Sequence, residues 1–88
     1  HTASLVPGDT VLEVEDRRVA MTEGEYQGTR RMTLTYPALV AARRILFLTT
    51  GEEKDEALSR LLAGDRSIPA GRIENGNAIL VTDREVLA

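Results

Sequence analysis

The sequence contains no cysteine, one histidine and one lysine. Without cysteine there are no disulfides, no thiolate zinc ligands and no cysteine nucleophile, and no metal site is expected. No apolar run approaches the ~20 residues that span a bilayer. Nor does a basic, apolar, small-residue segment open the chain as a signal peptide would, so a soluble protein with no membrane partner is expected. No Walker motif and no GxGxxG is present, and no nucleotide is indicated. Positive charge is in the minority, with 11 Lys and Arg against 14 Asp and Glu and a net charge of −3. A nucleic-acid partner would need a local basic stripe working against that field, and none is expected.

What is present suits one small domain. Eighty-eight residues bury a modest fraction of their surface and sit close to the limit of independent stability. Hydrophobic residues make up 42% and charged residues 28%, close to globular averages, so the chain should fold. Arginines pair at 17-18, 30-31 and 43-44, each pair followed by apolar residues and threonine. This spacing is shorter than solenoid repeats. It predicts three strands with similarly charged entrances and leaves at least one arginine free for a ligand.

HTASLVPGD predicts one helical turn over Thr2 to Leu5 and then a Pro7-Gly8-Asp9 turn. VLEVEDRRVAMT suggests one or two short extended segments around a charged bend, and EGEYQG is a loop. RMTLT alternates from Arg31 to Thr35 with Met32 and Leu34 on one face. Thr35 or Tyr36 is the expected N-cap of a short helix, PALVAA. Ile45 to Leu48 runs without a polar break, as in a central strand buried on both faces. Thr50-Gly51-Glu52-Glu53 fits a capping box. The helix it opens carries Ala57, Leu58, Leu61 and Leu62 on one stripe and closes at Gly64 in the left-handed conformation. Ile68 and Ile73 are expected to anchor the loop that follows, AILV is a strand, and Thr82-Asp83 should cap a last helix, DREVLA. Alternating strands and helices imply right-handed crossovers, a parallel sheet and part of a Rossmann-like sandwich. A sheet of three or four strands leaves an uncovered edge, as expected of the trailing part of something larger.

In open α/β sheets ligands bind beyond the carboxyl ends of strands, which draws attention to TTGEEK. Lys54 lies in the first helical turn, where the macrodipole disfavours a cation and an anion would offset it. On spacing alone it could equally pair with Glu53, Asp55 or Glu56 on a solvated face. Ser4 is more simply a helix-start residue than a nucleophile. His1 is either a bare end residue or a catalytic histidine.

HTASLVPGD, RRMTLTYPAL with AARRILFLTTGEEKDEAL, and IPAGRI with ILVTD resemble, in that order, the C-terminal part of 6-phosphogluconolactonases. These belong to the glucosamine-6-phosphate isomerase/6-phosphogluconolactonase superfamily. The resemblance implies residues 1–88 as a C-terminal fragment of a single α/β domain, a Rossmann-like three-layer sandwich with a mainly parallel sheet. It further implies a cytoplasmic hydrolase of the pentose phosphate pathway, opening 6-phospho-D-glucono-1,5-lactone without metal or organic cofactor. His1 matches the family's active-site histidine, Lys54 the lysine facing the substrate phosphate, and Arg31 an arginine before TLT. Arg31 is then a second anionic contact, with Arg30 its less favoured neighbour. Val6, Val40 and the EGEYQGT loop depart from the family pattern, and the loop could alter the cover over the site. The acidic residue and glycine that precede the histidine in relatives, and their earlier glycine-rich loop, are absent, so the 88 residues alone are expected to be inactive. A non-catalytic sugar-phosphate sensor and a sugar-phosphate isomerase or deaminase are the competing expectations.

Overall fold

In a computed structural model of the chain, residues 2–85 are described; His1 and residues 86–88 lie outside them. A turn closes over Thr2 to Leu5, and a 3₁₀ turn at Thr10–Glu13 leads to β1 (Val19–Met21) and β2 (Met32–Leu34). Next come α1 (Tyr36–Val40), β3 (Ile45–Thr49), a 3₁₀ turn at Glu52–Lys54 and α2 (Asp55–Leu62). A 3₁₀ turn at Pro69–Arg72 precedes β4 (Ala78–Thr82). β3 and β4 pair in parallel from Ile45↔Ala78 to Thr49↔Thr82, while β1 and β2 pair antiparallel from Val19↔Leu34 to Met21↔Met32. The chain is thus mixed α/β, with one parallel and one antiparallel pair among the described residues. Each arginine pair immediately precedes a strand, β1, β2 and β3, as the spacing predicts.

Several local expectations are corrected. The Thr2 to Leu5 segment is not helical: Leu5 N–H donates to the Thr2 carbonyl at 2.8 Å and Thr2 N–H to the Leu5 carbonyl at 3.4 Å, with Ala3 at φ 49°. VLEV begins as a 3₁₀ turn because the Asp9 carboxylate accepts the Val11 N–H and caps it. The Thr50 to Glu53 capping box does not form. Gly51, at φ 95°, takes the cap position of the 3₁₀ turn without a side-chain bond, and its N–H donates to Asp83 Oδ1 at 3.0 Å. Thr35 caps α1 by position only, since its hydroxyl donates to the Arg17 carbonyl at 2.6 Å. At the other end of α2 the expected closure holds. Gly64, at φ 67°, donates to the Leu61 carbonyl and Asp65 N–H to that of Arg60, a Schellman pair. The last expected helix falls partly outside the described residues. Within them, Thr82 ends β4 and its hydroxyl accepts the Arg84 N–H at 3.2 Å.

Burial departs furthest from expectation. Among the described residues the buried apolar side chains are Leu5, Val11 and Leu58, joined by Thr22, Thr33 and Thr35 and by Pro69. Met32 and Leu34 do share a face, but it is the open one, with Val19 and Met21 beside them. The inward threonines succeed because each hydroxyl finds a backbone partner, such as the Leu34 carbonyl for Thr33 and the Gly24 carbonyl for Thr22. β3 is not buried on both faces. Ile45, Phe47 and Thr49 are half-buried, whereas Leu46 and Leu48 are exposed next to Ile79 and Val81 of β4. The accessible surface, 6231 Å², exceeds the ~5,100 Å² expected of a folded monomer of this mass. The shortest dimension, 18 Å, leaves room for one sheet layer and one helix layer at ~10 Å spacing.

Candidate functional site

The Thr2 to Leu5 turn is the hub of two clefts. Leu5 is fully buried and anchors it, and Ser4 N–H donates to Thr33 Oγ1 of β2 at 3.0 Å. Thr2 lines one cleft and Ser4 the other. His1, the expected catalytic residue, adjoins Thr2 in sequence and lies outside the described residues.

The first cleft, about 490 Å³, lies between the Ser4 to Thr10 segment and the loop joining β1 to β2, with Thr22, Tyr26 and Arg31 in its wall. That loop ends in a tight turn, Tyr26 to Thr29, in which Gln27 and Gly28 both take positive φ. The turn sets the Arg31 guanidinium 5.2 Å from the Tyr26 ring centroid, with Nη2 donating to Gln27 Oε1 at 3.3 Å. Its Nε is buried with no hydrogen-bond partner among the described residues. Arg30 is committed elsewhere, Nε donating to the Thr22 carbonyl at 2.9 Å. The cleft is also acidic, through Asp9, Glu23 and Glu25.

The second cleft, about 710 Å³, follows β3 from Leu46 to Thr50 and is closed by Leu58 and Leu61 of α2, with Glu53 and Lys54 at one end. Two of the three carboxylates next to Lys54 in sequence, Asp55 and Glu56, are engaged by arginines. Asp55 holds the Arg84 guanidinium at 2.9 and 3.1 Å, Glu56 accepts from Arg60 at 2.8 Å, and the Glu53 carboxylate folds back over Gly51. A Cβ on Gly51 would stand 2.5 Å from that carboxylate. Among the described residues no ion pair joins Lys54 to Glu53, Asp55 or Glu56, and Lys54 is exposed. Asp55 is held below its ordinary value first by the Arg84 hydrogen bond, and the same pair raises Arg84. Thr49 lines this cleft, and its hydroxyl is buried with no hydrogen-bond partner among the described residues.

Arg31 and Lys54 therefore stand in different clefts that share the Thr2 to Leu5 turn as a wall. Sequence reasoning missed Asp9, Thr22, Tyr26 and Thr49. Of these only Asp9 had a signal, in its position after Pro-Gly and before an apolar run. Among the described residues no group of three or more His, Cys, Asp or Glu could hold a metal ion, and no helix is long and apolar enough to cross a membrane.

Residues 1–82 match the family model described as glucosamine-6-phosphate isomerases/6-phosphogluconolactonase. A protein of Nostoc sp. named 6-phosphogluconolactonase is 41% identical over 63 residues, 72% of this chain and 25% of the relative. A Synechocystis sp. protein of the same name is 36% identical over 89 aligned residues, 97% of this chain and 36% of the relative. The human 6-phosphogluconolactonase is 37% identical over 78% of this chain and 27% of its own length. The chain thus spans about a quarter to a third of the curated relatives it matches. No solved structure matches it. The match over nearly the whole chain shows that it belongs to the glucosamine-6-phosphate isomerase/6-phosphogluconolactonase family.

Proposed function

We propose that residues 1–88 are the C-terminal part of a single 6-phosphogluconolactonase-like domain. The complete protein would hydrolyse 6-phospho-D-glucono-1,5-lactone to 6-phosphogluconate in the cytoplasm, in the pentose phosphate pathway. The observation that carries this reading is the Lys54 ammonium, without an ion-pair partner among the described residues, in a cleft walled by Thr2, the residue after the family's histidine position. In this reading His1 takes a proton from water as it attacks the lactone carbonyl and returns one to the departing ring oxygen, a role worth about 10²–10⁴ in rate. Lys54 meets the substrate phosphate, assisted by the helix start behind it. Arg31 supplies a second anionic contact from the adjoining cleft, and Arg30 is its reserve. No cofactor enters the reaction.

The rest of the domain would complete a three-layer Rossmann-like sandwich with a mainly parallel sheet. The open faces of both strand pairs and the relatives' greater length support that part of the reading. Its supplier is the remaining segment of the same domain.

The test is a pair of assays on the complete protein, lactone hydrolysis in a pH-stat and isomerase turnover with glucosamine 6-phosphate. Hydrolysis without isomerisation is expected, with Lys54→Gln raising KM far more than it lowers kcat. The 88-residue chain alone should show no turnover. Turnover by the isolated chain comparable with the complete protein would refute the assignment of an incomplete site.

A further inference from the structure

Asp9 makes more hydrogen bonds to distant backbone than any expectation from the sequence assigned to it. Its Oδ1 accepts the N–H of Val11 at 2.9 Å and of Glu23 at 3.1 Å, and its Oδ2 accepts that of Gly24 at 3.0 Å. The neighbouring Thr10 hydroxyl donates to the Glu23 carboxylate at 2.5 Å. Three hydrogen bonds therefore join the segment after the Thr2 to Leu5 turn to the first residues of the loop between β1 and β2. The connection continues towards Arg31. The Gly24 carbonyl accepts the Thr22 hydroxyl at 2.9 Å, and that same Thr22 oxygen accepts the Arg31 N–H at 2.9 Å. Thr22 N–H in turn donates to the Arg31 carbonyl at 2.7 Å, so residues 22 and 31 close the loop's base. The far end of the loop carries Tyr26 and Gln27, which hold the guanidinium by its face and by Nη2.

We infer that Asp9 is a positioning residue: its carboxylate clamps the start of the 23–29 loop to the HTASLVPGD segment and thereby fixes where the Arg31 guanidinium points in the first cleft. The loop has no hydrophobic anchor of its own. Glu23, Gly24, Glu25, Gln27 and Gly28 are exposed, and Tyr26 is half-buried. A polar loop of this kind stays in one place only if its backbone groups are held. A carboxylate is the side chain suited to do it, because two oxygens accept three N–H groups with no donor of their own to leave over. The ionised form is the one in place. The Val11 and Gly24 N–H groups hold the Asp9 carboxyl below its ordinary value, burial opposes them, and Glu23 N–H and Arg30 add to the lowering. An aspartate that merely capped the 3₁₀ turn would need only the Val11 contact. The bonds to residues 23 and 24, 14 and 15 positions away, belong to the cleft.

The proposal rests on the reading of Arg31 as a substrate contact, and the experiment separates the two. Amide and Arg31 Nε–H hydrogen exchange is measured by NMR on the ¹⁵N-labelled complete protein, for wild type, Asp9→Ala, Asp9→Asn and, as a control, Asp16→Ala, whose carboxylate accepts from its neighbour Arg17. Asp9→Ala is expected to speed exchange at Glu23 N, Gly24 N and the buried Arg31 Nε at least tenfold, while β3 and β4 amides change less than twofold. Asp9→Asn keeps one acceptor and turns an NH₂ towards a backbone donor, so it should give a smaller change confined to the same sites. It decides the matter if the alanine variant does not fold. Asp16→Ala should leave Arg31 unchanged. Unaltered Arg31 Nε exchange in both Asp9 variants, or equal acceleration in β3 and β4, would overturn the proposal. Titration with 6-phosphogluconate then tests the underlying reading. Binding about tenfold weaker in Asp9→Ala, and no weaker in Asp9→Ala/Arg31→Ala than in Arg31→Ala, supports action through Arg31, whereas equal losses that add refute it. A complete wild-type protein that ignores 6-phosphogluconate while Arg31 exchange still depends on Asp9 sinks the substrate reading and leaves the positioning role standing.

Discussion

The open face of the parallel pair can be tested by removing its two most exposed leucines. Leu46 is 62% exposed and Leu48 69%, beside Ile79 at 57% and Val81 at 47%. Full burial of a leucine is worth about 1.5–3 kcal/mol, so the third or so of each side chain now covered stabilises the chain by about 0.5–1 kcal/mol. Leu46→Thr/Leu48→Thr keeps good strand formers and should therefore cost about 1–2 kcal/mol in all. Were these leucines core residues, each truncation would cost ~2–5 kcal/mol. The pair would then consume most of the ~4–13 kcal/mol available to a domain of this size. Urea unfolding followed by circular dichroism reads the difference as a midpoint shift at unchanged slope. The same variant should bind anilinonaphthalene sulfonate at less than half the wild-type fluorescence and lose any concentration-dependent association in the ultracentrifuge. A loss above about 4 kcal/mol, or undiminished dye binding, would show that the face is already covered, and the case for a missing layer would fall with it.

Three further outcomes follow from particular contacts. Gly71→Ala places a Cβ on top of the Asp65 carbonyl oxygen, backbone that cannot give way cheaply, so a loss of about 1–3 kcal/mol in urea unfolding is expected. A neutral Gly71→Ala would show that the Asp65 to Gly71 approach is not held in solution. Thr35→Val preserves shape but leaves the Arg17 carbonyl without the hydroxyl that donates to it at 2.6 Å, costing about 1–3 kcal/mol with little change in circular dichroism. Asp9, Asp16, Asp55 and Asp65 are all held below the ordinary carboxylate value, by backbone N–H groups at Asp9 and Asp65 and by arginines at Asp16 and Asp55. Depressed folded values mean stability that is present above about pH 4 and is lost as pH falls through them. The urea midpoint should stay level from pH 7 to 5 and drop below pH 4, and a midpoint that rises on acidification would contradict the sign.

The parts of the fold that the sequence disclosed are those decided locally. Arginine pairs mark strand entrances because a long charged side chain is tolerated only where the chain emerges from a sheet, and all three mark β1, β2 and β3. Gly64 closes α2 because glycine enters the left-handed region without strain. What failed was decided by partners. Ile45 to Leu48 is as apolar as a doubly covered strand, yet Leu46 and Leu48 lie open. Hydrophobicity states what a residue would favour, and only the neighbours present decide whether it is buried. The same holds for the antiparallel β1 and β2, whose buried side carries threonines and whose open side carries valine, leucine and methionines.

The site divides along the same line. Lys54 drew attention in the sequence as a lone cation at a helix start; the structure puts it at the N-cap of α2, where its neighbours Asp55 and Glu56 turn to Arg84 and Arg60. That choice could not be read from spacing. Glu53, Asp55 and Glu56 are all close in sequence, and the arginine that takes Asp55 comes from 29 positions away. Asp9 was hidden for the same reason, its partners being backbone groups of a polar loop with no pattern to mark them. Arg31 could be singled out only through resemblance, and its surroundings qualify the role. Asp9, Glu23 and Glu25 line the same cleft, so an anion approaching Arg31 meets three carboxylates as well as one guanidinium. At Lys54 one carboxylate, Glu53, lines the same cleft, while Asp55 and Glu56 are held by Arg84 and Arg60. Under the proposed reading the substrate phosphate would sit at Lys54, and Arg31, flanked by those carboxylates, would meet a part of the substrate that can also donate hydrogen bonds.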